Sequence, residues 1–319
     1  MRRRNLNVLV TGGAGFIGSH LVDALVKQDR RVWVLDNLST GRLTNLAEHL
    51  HESDLKFVKG DVRSASIADR IVARVDAIIH EAGVVDHEAC LRNPTLANDV
   101  NVGGTLNLLE AARRHDVERF VYASSAAVYG EQKHVPIFEE AAPHPISPYG
   151  ASKLAAEQYC LAFHSSYGLG TTCLRYFNVF GPRQSARQYS GVISQFAKRL
   201  LRGRPPVVFG TGKQTRDFVS VEDVVQATLR ALDSETSEGE LYNVGTGGAT
   251  TINRLAAQMI KVSGTKNLKA RHTRAKAGDI RRSVADIRKA RRRLSYLPRT
   301  TMETDLCKVY DWYAKRMPR

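Results

Sequence analysis

The sequence predicts an α/β protein: a Rossmann-type, doubly wound parallel sheet joined to a smaller C-terminal α/β lobe that binds the substrate. Two observations support this prediction. From residue 7 to residue 180, short apolar runs alternate with segments of helical periodicity, and the first run ends in a glycine-rich turn. Because parallel strands need long crossover connections, this alternation indicates a parallel sheet with helices on both faces.

The element boundaries follow from the same pattern. Strands are predicted at Asn7–Thr11, Arg31–Asp36, Lys56–Gly60, Asp76–His80, Arg119–Ser124 and Thr171–Tyr176. Long helices are predicted at Pro94–His115 and Tyr149–Tyr167. Later segments read as helices near 194–202, 221–232 and 251–262, and as short strands at 207–209 and 240–243. We assign residues 1–180 to a dinucleotide-binding domain and 181–319 mainly to the substrate lobe, packed as one body, with some strands and helices of the lobe returning to the core.

The length and the cysteine content favour a large folded protein of a reducing compartment. The chain of 319 residues can bury a large core, and its four cysteines are widely spaced, without a Cys-x-x-Cys pair. The apolar stretch near the start ends at Thr11, too early for a signal peptide or a membrane span. We therefore expect a cytoplasmic protein that does not use a membrane.

The formal charge of +15 favours anionic partners, whether small nucleotides or nucleic acid. Basic clusters occur at 2–4, 281–282 and 291–293, but they lack interleaved aromatic residues on which bases could stack. A nucleic-acid partner is therefore the less favoured interpretation, and a solvated basic surface is the more ordinary one.

The turn after the first strand has the spacing of a dinucleotide site. Gly12, Gly15 and Gly18 recur every third residue, and Phe16 and Ile17 open the helix that follows. Glycine lets the backbone turn sharply and approach a pyrophosphate at the helix N-terminus, where free N–H groups and the helix dipole favour an anion. The strand before the turn and the helix after it distinguish this motif from an ordinary glycine turn.

An acidic residue at the end of the second strand completes the pattern. Asp36 lies about eighteen residues beyond the last glycine, near the offset of a carboxylate that accepts both ribose hydroxyls and repels a 2′-phosphate. This predicts NAD rather than NADP as the cofactor. Asn37 and Ser39, in the turn after Asp36, are assigned to the same site. At the end of the third strand, Asp61 is predicted to accept from the adenine amino group, and Val62 is predicted to pack on the ring.

A tyrosine and a lysine are the candidate chemical centre. Tyr149 and Lys153 are four residues apart in the run Ser-Pro-Tyr-Gly-Ala-Ser-Lys, so both lie on one face of the helix that begins there. A free tyrosine has a pKa of about 10, and it can act as a base near neutrality only if a nearby cation favours the phenolate. Lys153, together with the positively charged nicotinamide ring, can supply that cation.

Further motifs accompany this pair along the chain. In order, they are the glycine turn, Asp36, Gly60-Asp61-Val62, Ser124 to Gly130, Tyr149 to Lys153 and Arg175 to Pro182. The ordered set resembles the extended short-chain dehydrogenase/reductases of the NAD-dependent epimerase/dehydratase family. From Asn7 to about Leu306 the chain is most similar to the UDP-glucose 4-epimerases within that family.

The resemblance implies a catalytic set of Ser125, Tyr149 and Lys153. Ser125 would hydrogen-bond the 4-oxygen of the sugar, Tyr149 would take the 4-hydroxyl proton, and Lys153 would hold the nicotinamide ribose. Hydride would pass from C4 to NAD and return to the other face of the keto sugar, which amounts to 4-epimerisation of a UDP-hexose. The implied neighbours of the cofactor also include Ala82, Ser124 and Tyr176.

The two residues after the implied catalytic serine disfavour other reactions of the family. Dehydratases carry an Asp-Glu pair there, which removes the C5 proton and assists water loss, and sugar-acid decarboxylases share a glutamate there. In this chain the positions are Ala126 and Ala127, which cannot do acid–base work. Simple redox epimerisation is therefore favoured.

The resemblance also implies the substrate contacts. Asn178 matches a diphosphate-contacting asparagine, and Arg216 matches an arginine that clamps the nucleotide or its phosphates, a role that suits a planar guanidinium. Asp279 would accept from a ribose hydroxyl. Val192 belongs to a loop, Tyr189 to Ile193, that should lie near the uracil.

Two departures from the family pattern concern the substrate. Lys276 stands where many relatives have arginine, so either Lys276 makes a single-point phosphate contact or the neighbouring Arg274 reaches in. Seven residues further on, Ser283 replaces a bulky aromatic residue of the relatives that are restricted to UDP-glucose. A serine leaves room for an N-acetyl group, so we expect 2-acetamido sugars to be accepted beside glucose and galactose.

Two rival interpretations of the function compete with epimerisation of a UDP-hexose. A UDP-glucuronate 4-epimerase would meet the sugar carboxylate with the extra basic residues, and a catalytically silent nucleic-acid-binding relative would use the +15 surface. The intact catalytic set disfavours the second.

By resemblance, the two long helices pair in a homodimer. No metal is expected, because His80, Asp86 and His87 have no further ligands at suitable spacing.

Overall fold

The computed structural model describes residues 6–184, 191–265, 267–276 and 278–316. In this part of the chain the central sheet contains seven parallel strands: β1 (Asn7–Thr11), β2 (Arg31–Asp36), β3 (Leu55–Lys59), β4 (Ala77–His80), β5 (Arg119–Ser125), β6 (Thr171–Tyr176) and β11 (Glu240–Val244). They lie in the order β11-β6-β5-β4-β1-β2-β3, so the strand order reverses between β1 and β4. Ligands bind at such a switch point in doubly wound sheets. The predicted fold class is confirmed.

Helices cover both faces of this sheet. They are α1 (Phe16–Val26), α2 (Ala65–Val72), α3 (His87–Arg92), α4 (Pro94–Asn98), α5 (Gly104–Arg114) and α6 (Pro148–Tyr167). The single helix predicted at 94–115 was wrong in one respect, because a π-helical segment, Asp99–Gly103, separates α4 from α5. One wider turn hardly changes the apolar spacing, so periodicity alone does not reveal it.

The remaining elements form the C-terminal half. Its strands are β7 (Asn178–Phe180), β8 (Val207–Phe209), β9 (Thr215–Arg216), β10 (Phe218–Ser220), β12 (Thr250–Thr251), β13 (Arg271–Thr273) and β14 (Arg282–Ser283), and its helices are α7 (Val192–Leu201), α8 (Val221–Asp233), α9 (Ile252–Val262), α10 (Arg288–Leu294) and α11 (Met302–Ala314). Small sheets pair β7 with β10, β8 with β13, and β9 with both β12 and β14. Helix α8 packs against α1 and β5, whereas α7, α9 and α11 pack on one another around a separate core. None of the described helices is long and apolar enough to cross a membrane.

A buried ion pair fixes α6 to the central sheet. Glu157 of α6 receives two hydrogen bonds from Arg175 of β6, one of them 2.6 Å long from Nη2 to Oε1, and a third of 2.6 Å from the Ser124 hydroxyl. The Arg175 guanidinium also lies 4.5 Å from the ring centroid of Tyr129. Buried charges need partners for their hydrogen-bonding atoms, and these contacts provide them. The pair therefore fixes the helix that carries Tyr149.

Candidate active site

The glycine turn is closely packed at the switch point of the sheet. Gly12 has a φ of +66°, and a Cβ there would lie 2.9 Å from the amide nitrogen of Ala82. A Cβ on Gly18 would overlap the Gly12 carbonyl and lie 2.8 Å from the Gly13 Cα. Helix α1 begins directly after Gly15, and none of the described side chains caps its first N–H groups. The cradle thus fits a pyrophosphate, whose oxygens would accept from N–H groups near Phe16 and Ile17.

Asp36 is held against this turn. Its buried carboxylate accepts from the backbone N–H of Ala14 at 3.0 Å and of Leu38 at 2.7 Å. Burial raises the pKa of Asp36, and the two N–H donors oppose that change. The carboxylate is fixed at the C-terminal end of β2, where a ribose would meet it, so the residues here fit NAD.

The adenine side of the predicted site is partly occupied. Asp61 accepts from the Arg63 guanidinium at 2.9 and 3.0 Å and from the Asn37 amide at 2.9 Å, contacts that hold its pKa well below its usual range. The Asn37 side-chain oxygen accepts from the N–H of Ser39. Val62 is only 5% exposed and packs on Gly104, so little of its side chain is available for the predicted ring contact.

The catalytic side chains meet at the start of α6. Ser147 caps the helix, and Tyr149 and Lys153 follow on one face. Burial raises the pKa of Tyr149 to about 12, while a hydrogen bond with the Ser125 side chain lowers it. The Lys153 ammonium donates to the Ala123 carbonyl at 2.8 Å, and burial lowers its pKa. The structure therefore brings together the three predicted catalytic residues, with a hydroxyl beside the tyrosine and a cation one turn away.

Glu81 is a residue of this site that the sequence analysis did not identify. It follows the last residue of β4, is half-buried, and accepts a 2.8 Å hydrogen bond from the Tyr176 hydroxyl, which also contacts Thr228 at 2.8 Å. Its carboxylate raises the pKa values of both Lys153 and Tyr149, and burial raises its own pKa. The signal that could have identified Glu81 in the sequence is its position, directly after a buried strand at the switch point of the sheet.

Asn101, in the π-helical segment, was also missed. Its side chain bonds both backbone groups of Val84, at 2.7 Å to the N–H and 3.1 Å to the carbonyl, and donates to the Ser152 hydroxyl at 2.9 Å. A Cβ on the neighbouring Gly83 would be 3.4 Å from the Lys153 ammonium nitrogen. Asn101 therefore fixes the loop after β4 next to the Lys153 ammonium. This loop contains Ala82.

The structure shows the hydrogen-bond partners of two polar residues here. Ser124 was predicted beside the cofactor, but its hydroxyl donates to Glu157, which leaves its backbone as the group available there. His80 is fully buried between the hydroxyls of Thr11 and Thr105. Burial, and to a smaller extent the charge of Lys153, lowers the pKa of His80 to about 3, so its ring is neutral. The described residues contain no group of three or more His, Cys, Asp and Glu side chains suited to a metal.

The predicted substrate residues converge from distant segments. Arg216 of β9 forms an ion pair of 2.5 Å with Asp279, which also accepts from Gln214 at 3.1 Å. From the sequence we assigned Arg216 to a phosphate and Asp279 to a ribose hydroxyl. In the structure these two side chains pair with each other. Ser283 is buried directly opposite Arg216 in the β14–β9 pair. Burial lowers the pKa of Arg216, and the charges of Asp279 and Glu131 oppose that change. Glu131, which was not identified from the sequence, also accepts from the Arg281 N–H at 2.8 Å.

The other predicted contacts are more dispersed. Lys276 lies with its ammonium 4.6 Å from the ring centroid of Phe209, and Arg274 is exposed, so either can still serve a diphosphate. Asn178 is exposed at the start of β7. Val192 begins α7 and packs against the C-terminal core, whereas Tyr189 and Ser190 of the predicted uracil loop lie outside the described residues.

Asp217, next to Arg216, organises this region. Its fully buried carboxylate accepts from the backbone N–H groups of Thr246 at 2.8 Å, Gly247 at 2.9 Å and Ala285 at 3.1 Å. Two loops and β9 are thereby tied together around one carboxylate. The sequence motif containing Arg216 thus pairs a partly buried functional candidate with a fully buried structural residue.

The comparisons with known proteins agree with this geometry. A sequence model of the NAD dependent epimerase/dehydratase family matches residues 8–245. A putative UDP-glucose 4-epimerase of Methanocaldococcus jannaschii is 38% identical over 96% of this chain and 97% of its own. The UDP-N-acetylglucosamine 4-epimerase of Methanobrevibacter ruminantium, solved with UDP-N-acetylmuramic acid, has a TM-score of 0.94 and 36% identity over 98% of this chain and 100% of its own.

A third relative carries the cofactor. The UDP-glucuronic acid 4-epimerase of Bacillus cereus, solved with UDP-glucuronic acid and NAD, has a TM-score of 0.91 and 29% identity over 98% of this chain and 100% of its own. The glycine turn and Asp36 of this chain are built for the same cofactor. The chain is an enzyme of the NAD dependent epimerase/dehydratase family.

Proposed function

We propose that this enzyme is a 4-epimerase of UDP-hexoses, acting on UDP-glucose and UDP-galactose and on their N-acetylhexosamine forms. The observation that carries the proposal is the meeting of Tyr149, Ser125 and Lys153 beside Ala126 and Ala127. The first three supply a base, a hydrogen-bonding hydroxyl and a cation. The two alanines form a short helical turn and offer no group for water elimination.

NAD, when bound, supplies a reversible hydride acceptor. The chain contributes the proton chemistry: the phenolate oxygen of Tyr149 takes the proton of the sugar 4-hydroxyl and later gives it back. Ser125 holds the same sugar oxygen, and Lys153, anchored on the Ala123 carbonyl, favours the phenolate by its charge. Burial alone disfavours that phenolate, so the tyrosine depends on the cationic groups around it.

The size of Ser283 supports the wider sugar range. It lies opposite Arg216, so it borders the candidate nucleotide contact rather than a remote surface. A small side chain there leaves space for a 2-acetamido group. Ser283→Tyr should therefore depress turnover of UDP-N-acetylglucosamine more than that of UDP-glucose. Near-zero turnover of the N-acetyl substrate by the unmodified enzyme, beside brisk turnover of UDP-glucose, would contradict this range.

A UDP-glucuronate 4-epimerase is the second candidate. Two exposed cations next to Ser283, Arg281 and Arg282, favour this candidate, because they could meet a sugar carboxylate. The same turnover assays distinguish the two, because a glucuronate enzyme should convert UDP-glucuronate far faster than UDP-galactose.

The decisive experiment incubates the purified enzyme, with and without added NAD, with UDP-galactose, UDP-N-acetylgalactosamine and UDP-glucuronate separately. Chromatography should reveal the C4 epimer of the accepted sugar. Tyr149→Phe should abolish its formation, whereas Tyr159→Phe, an exposed tyrosine on the same helix, should not. If none of these sugars is converted with NAD present, the proposal fails, and other sugar nucleotides and then RNA should be tested.

We also infer a cytoplasmic homodimer paired through α5 and α6. Tyr159 and Tyr167 of α6 are 43% and 55% exposed, which suits a face that a second subunit covers. Light scattering should give twice the mass of the chain, and a monomer at micromolar concentration would contradict the inference. Fractionation of cells should recover the enzyme with soluble cytoplasmic markers.

A further inference from the structure

Two segments of the chain carry positive charge without any acidic residue. Residues 191–216 contain six Lys or Arg residues, residues 252–276 contain seven, and neither segment contains an Asp or Glu. The two segments are separated by 35 residues that contain seven Asp or Glu residues and one Arg. Such a distribution differs from the usual interspersed surface, in which both signs alternate.

The fold brings these segments together. Helix α7 packs on α9, and β8 pairs in parallel with β13, with a 2.8 Å bond from the Arg271 N–H to the Pro206 carbonyl. We call the described cations on this face the cationic surface: Lys198, Arg199, Arg202, Arg204, Lys269, Arg271, Arg274 and Lys276.

The charges of this surface are largely unneutralised. Salt bridges within the two segments join Arg216 to Asp279 and Lys261 to Glu303, and none of the described carboxylates forms one with the cationic surface. Burial lowers the pKa of Arg199, and Arg271 and Arg204 lower it further. Like charges held close together without counter-charges destabilise the folded chain slightly, which suggests a use for them.

The cationic surface is continuous with the candidate substrate site. From Arg271 the chain runs through Arg274 to Lys276, which rests on Phe209 of β8, and then to Asp279, the partner of Arg216. At roughly 3.3 Å per extended residue, the stretch from Arg271 to Lys276 spans at most about 16 Å. The charges therefore begin at the substrate site and extend outward along one face.

We propose that the cationic surface captures the nucleoside diphosphate sugar electrostatically and guides it into the site. This inference rests on the proposed function, because it needs an anionic diphosphate substrate. A one-sign surface leading to a cleft raises association rates by about 10- to 1,000-fold, and salt screens the effect over about 8 Å at physiological ionic strength. A small anion suits this surface better than a nucleic acid, because the described parts of the two segments contain no exposed Phe, Tyr or Trp for base stacking.

The test measures the association rate of UDP by stopped flow at low and high salt. The unmodified enzyme should lose about tenfold in association rate between about 0.02 and 0.5 M salt. Arg202→Glu/Arg271→Glu should show that loss already at low salt, with a flatter salt dependence and an unchanged kcat at saturating substrate. Arg291→Glu/Arg292→Glu is the matched control: it changes the net charge equally, on α10, which packs against β11 and α8.

Three results would overturn the inference. Equal slowing in both double variants would show that only net charge matters. Salt-independent association of UDP would show that no steering operates. An unchanged association rate in Arg202→Glu/Arg271→Glu, together with lost retention on heparin or RNA, would assign the surface to a polymeric anion. Because UDP binding is measured without turnover, failure of the epimerase assay leaves this test readable.

Discussion

The two halves of the site differ in how their side chains are held. In the N-terminal half, Asp36, Lys153 and Glu81 are fixed by hydrogen bonds to the backbone or to neighbours within the same cleft. In the C-terminal half, Arg216 and Asp279, brought together from positions 63 residues apart, satisfy each other. The chemical half is thus preformed by hydrogen bonds within the fold, whereas we expect the substrate half to exchange an internal ion pair for ligand contacts.

The largest effect should come from removing the cation of the preformed half. Lys153→Met should lower kcat by about 10²- to 10⁴-fold, because the Tyr149 phenolate loses the charge that favours it. The substitution also removes a buried ammonium, so the melting temperature should not fall in parallel. Turnover and calorimetry on the same preparation test this. A variant that is inactive because it is unfolded would leave the preformed chemistry unsupported.

The glycine turn should be nearly as intolerant. In Gly18→Ala the new Cβ would overlap backbone atoms of Gly12 and Gly13, which cannot move away, so we expect a loss of about 1–3 kcal/mol in unfolding free energy and of bound NAD. Denaturation and NAD content after gel filtration measure the two effects.

Gly103→Ala provides the control for that substitution. Gly103 has helical backbone angles, with φ −58°, and its added Cβ would meet no atom within 4 Å. Alanine should be neutral there or stabilise by up to about 1 kcal/mol. Equal damage by both substitutions would mean that the close packing of the turn is not what matters.

A smaller effect should come from Glu81→Gln. The glutamine oxygen can still accept from Tyr176, but the charge that raises the pKa values of Tyr149 and Lys153 is lost. Both pKa values should fall, so both limbs of the profile of kcat/KM against pH should move to lower pH. Because burial raises the pKa of Glu81, the two profiles should converge at acidic pH, where the carboxyl is neutral in the unmodified enzyme as well.

Tyr176→Phe separates charge from hydrogen bonding in that experiment. It removes the 2.8 Å bond to Glu81 and leaves the carboxylate in place. The groups that face the pair are Lys153, Tyr149, the neutral His80 and the thiol of Cys90, and the substitution changes none of them. The lost hydrogen bond also raises the pKa of Glu81, so the two variants are compared at alkaline pH, where the carboxyl is charged in Tyr176→Phe. If Tyr176→Phe moves the alkaline limb as far as Glu81→Gln does, the charge of Glu81 has no special role.

The same contrast explains what sequence analysis could and could not predict. Strand β2 was predicted with its observed bounds, because a continuous apolar run between turn residues is a local signal. Tyr149 and Lys153 are likewise related by one helical turn. The link between Glu81 and Lys153 depends instead on how closely β4 approaches α6, and the Arg216–Asp279 pair on how β9 meets a later loop. The hydrogen bond from the Ser124 hydroxyl to Glu157 was likewise not predictable, because the two residues are 33 positions apart.

The smallest and most diagnostic effects belong to the substrate half. Arg216→Gln should weaken UDP binding about tenfold, since a guanidinium with charge-assisted phosphate contacts is lost. Asp279→Asn should change the dissociation constant by less than about threefold, because the lost ribose acceptor is offset by release of Arg216 from its 2.5 Å ion pair. Titration calorimetry with UDP measures both.

The two substitutions would weaken UDP binding equally if the Arg216–Asp279 ion pair acted as one rigid unit. Equal losses of affinity in Arg216→Gln and Asp279→Asn would mean that UDP binds to the intact ion pair, as a preformed site. Unequal losses, in the expected direction, would mean that Arg216 must leave Asp279 before it reaches the diphosphate. Because Asp217 ties the backbone of β9 to two loops, that exchange requires only side-chain motion, and the substrate half can rearrange while the catalytic half stays fixed.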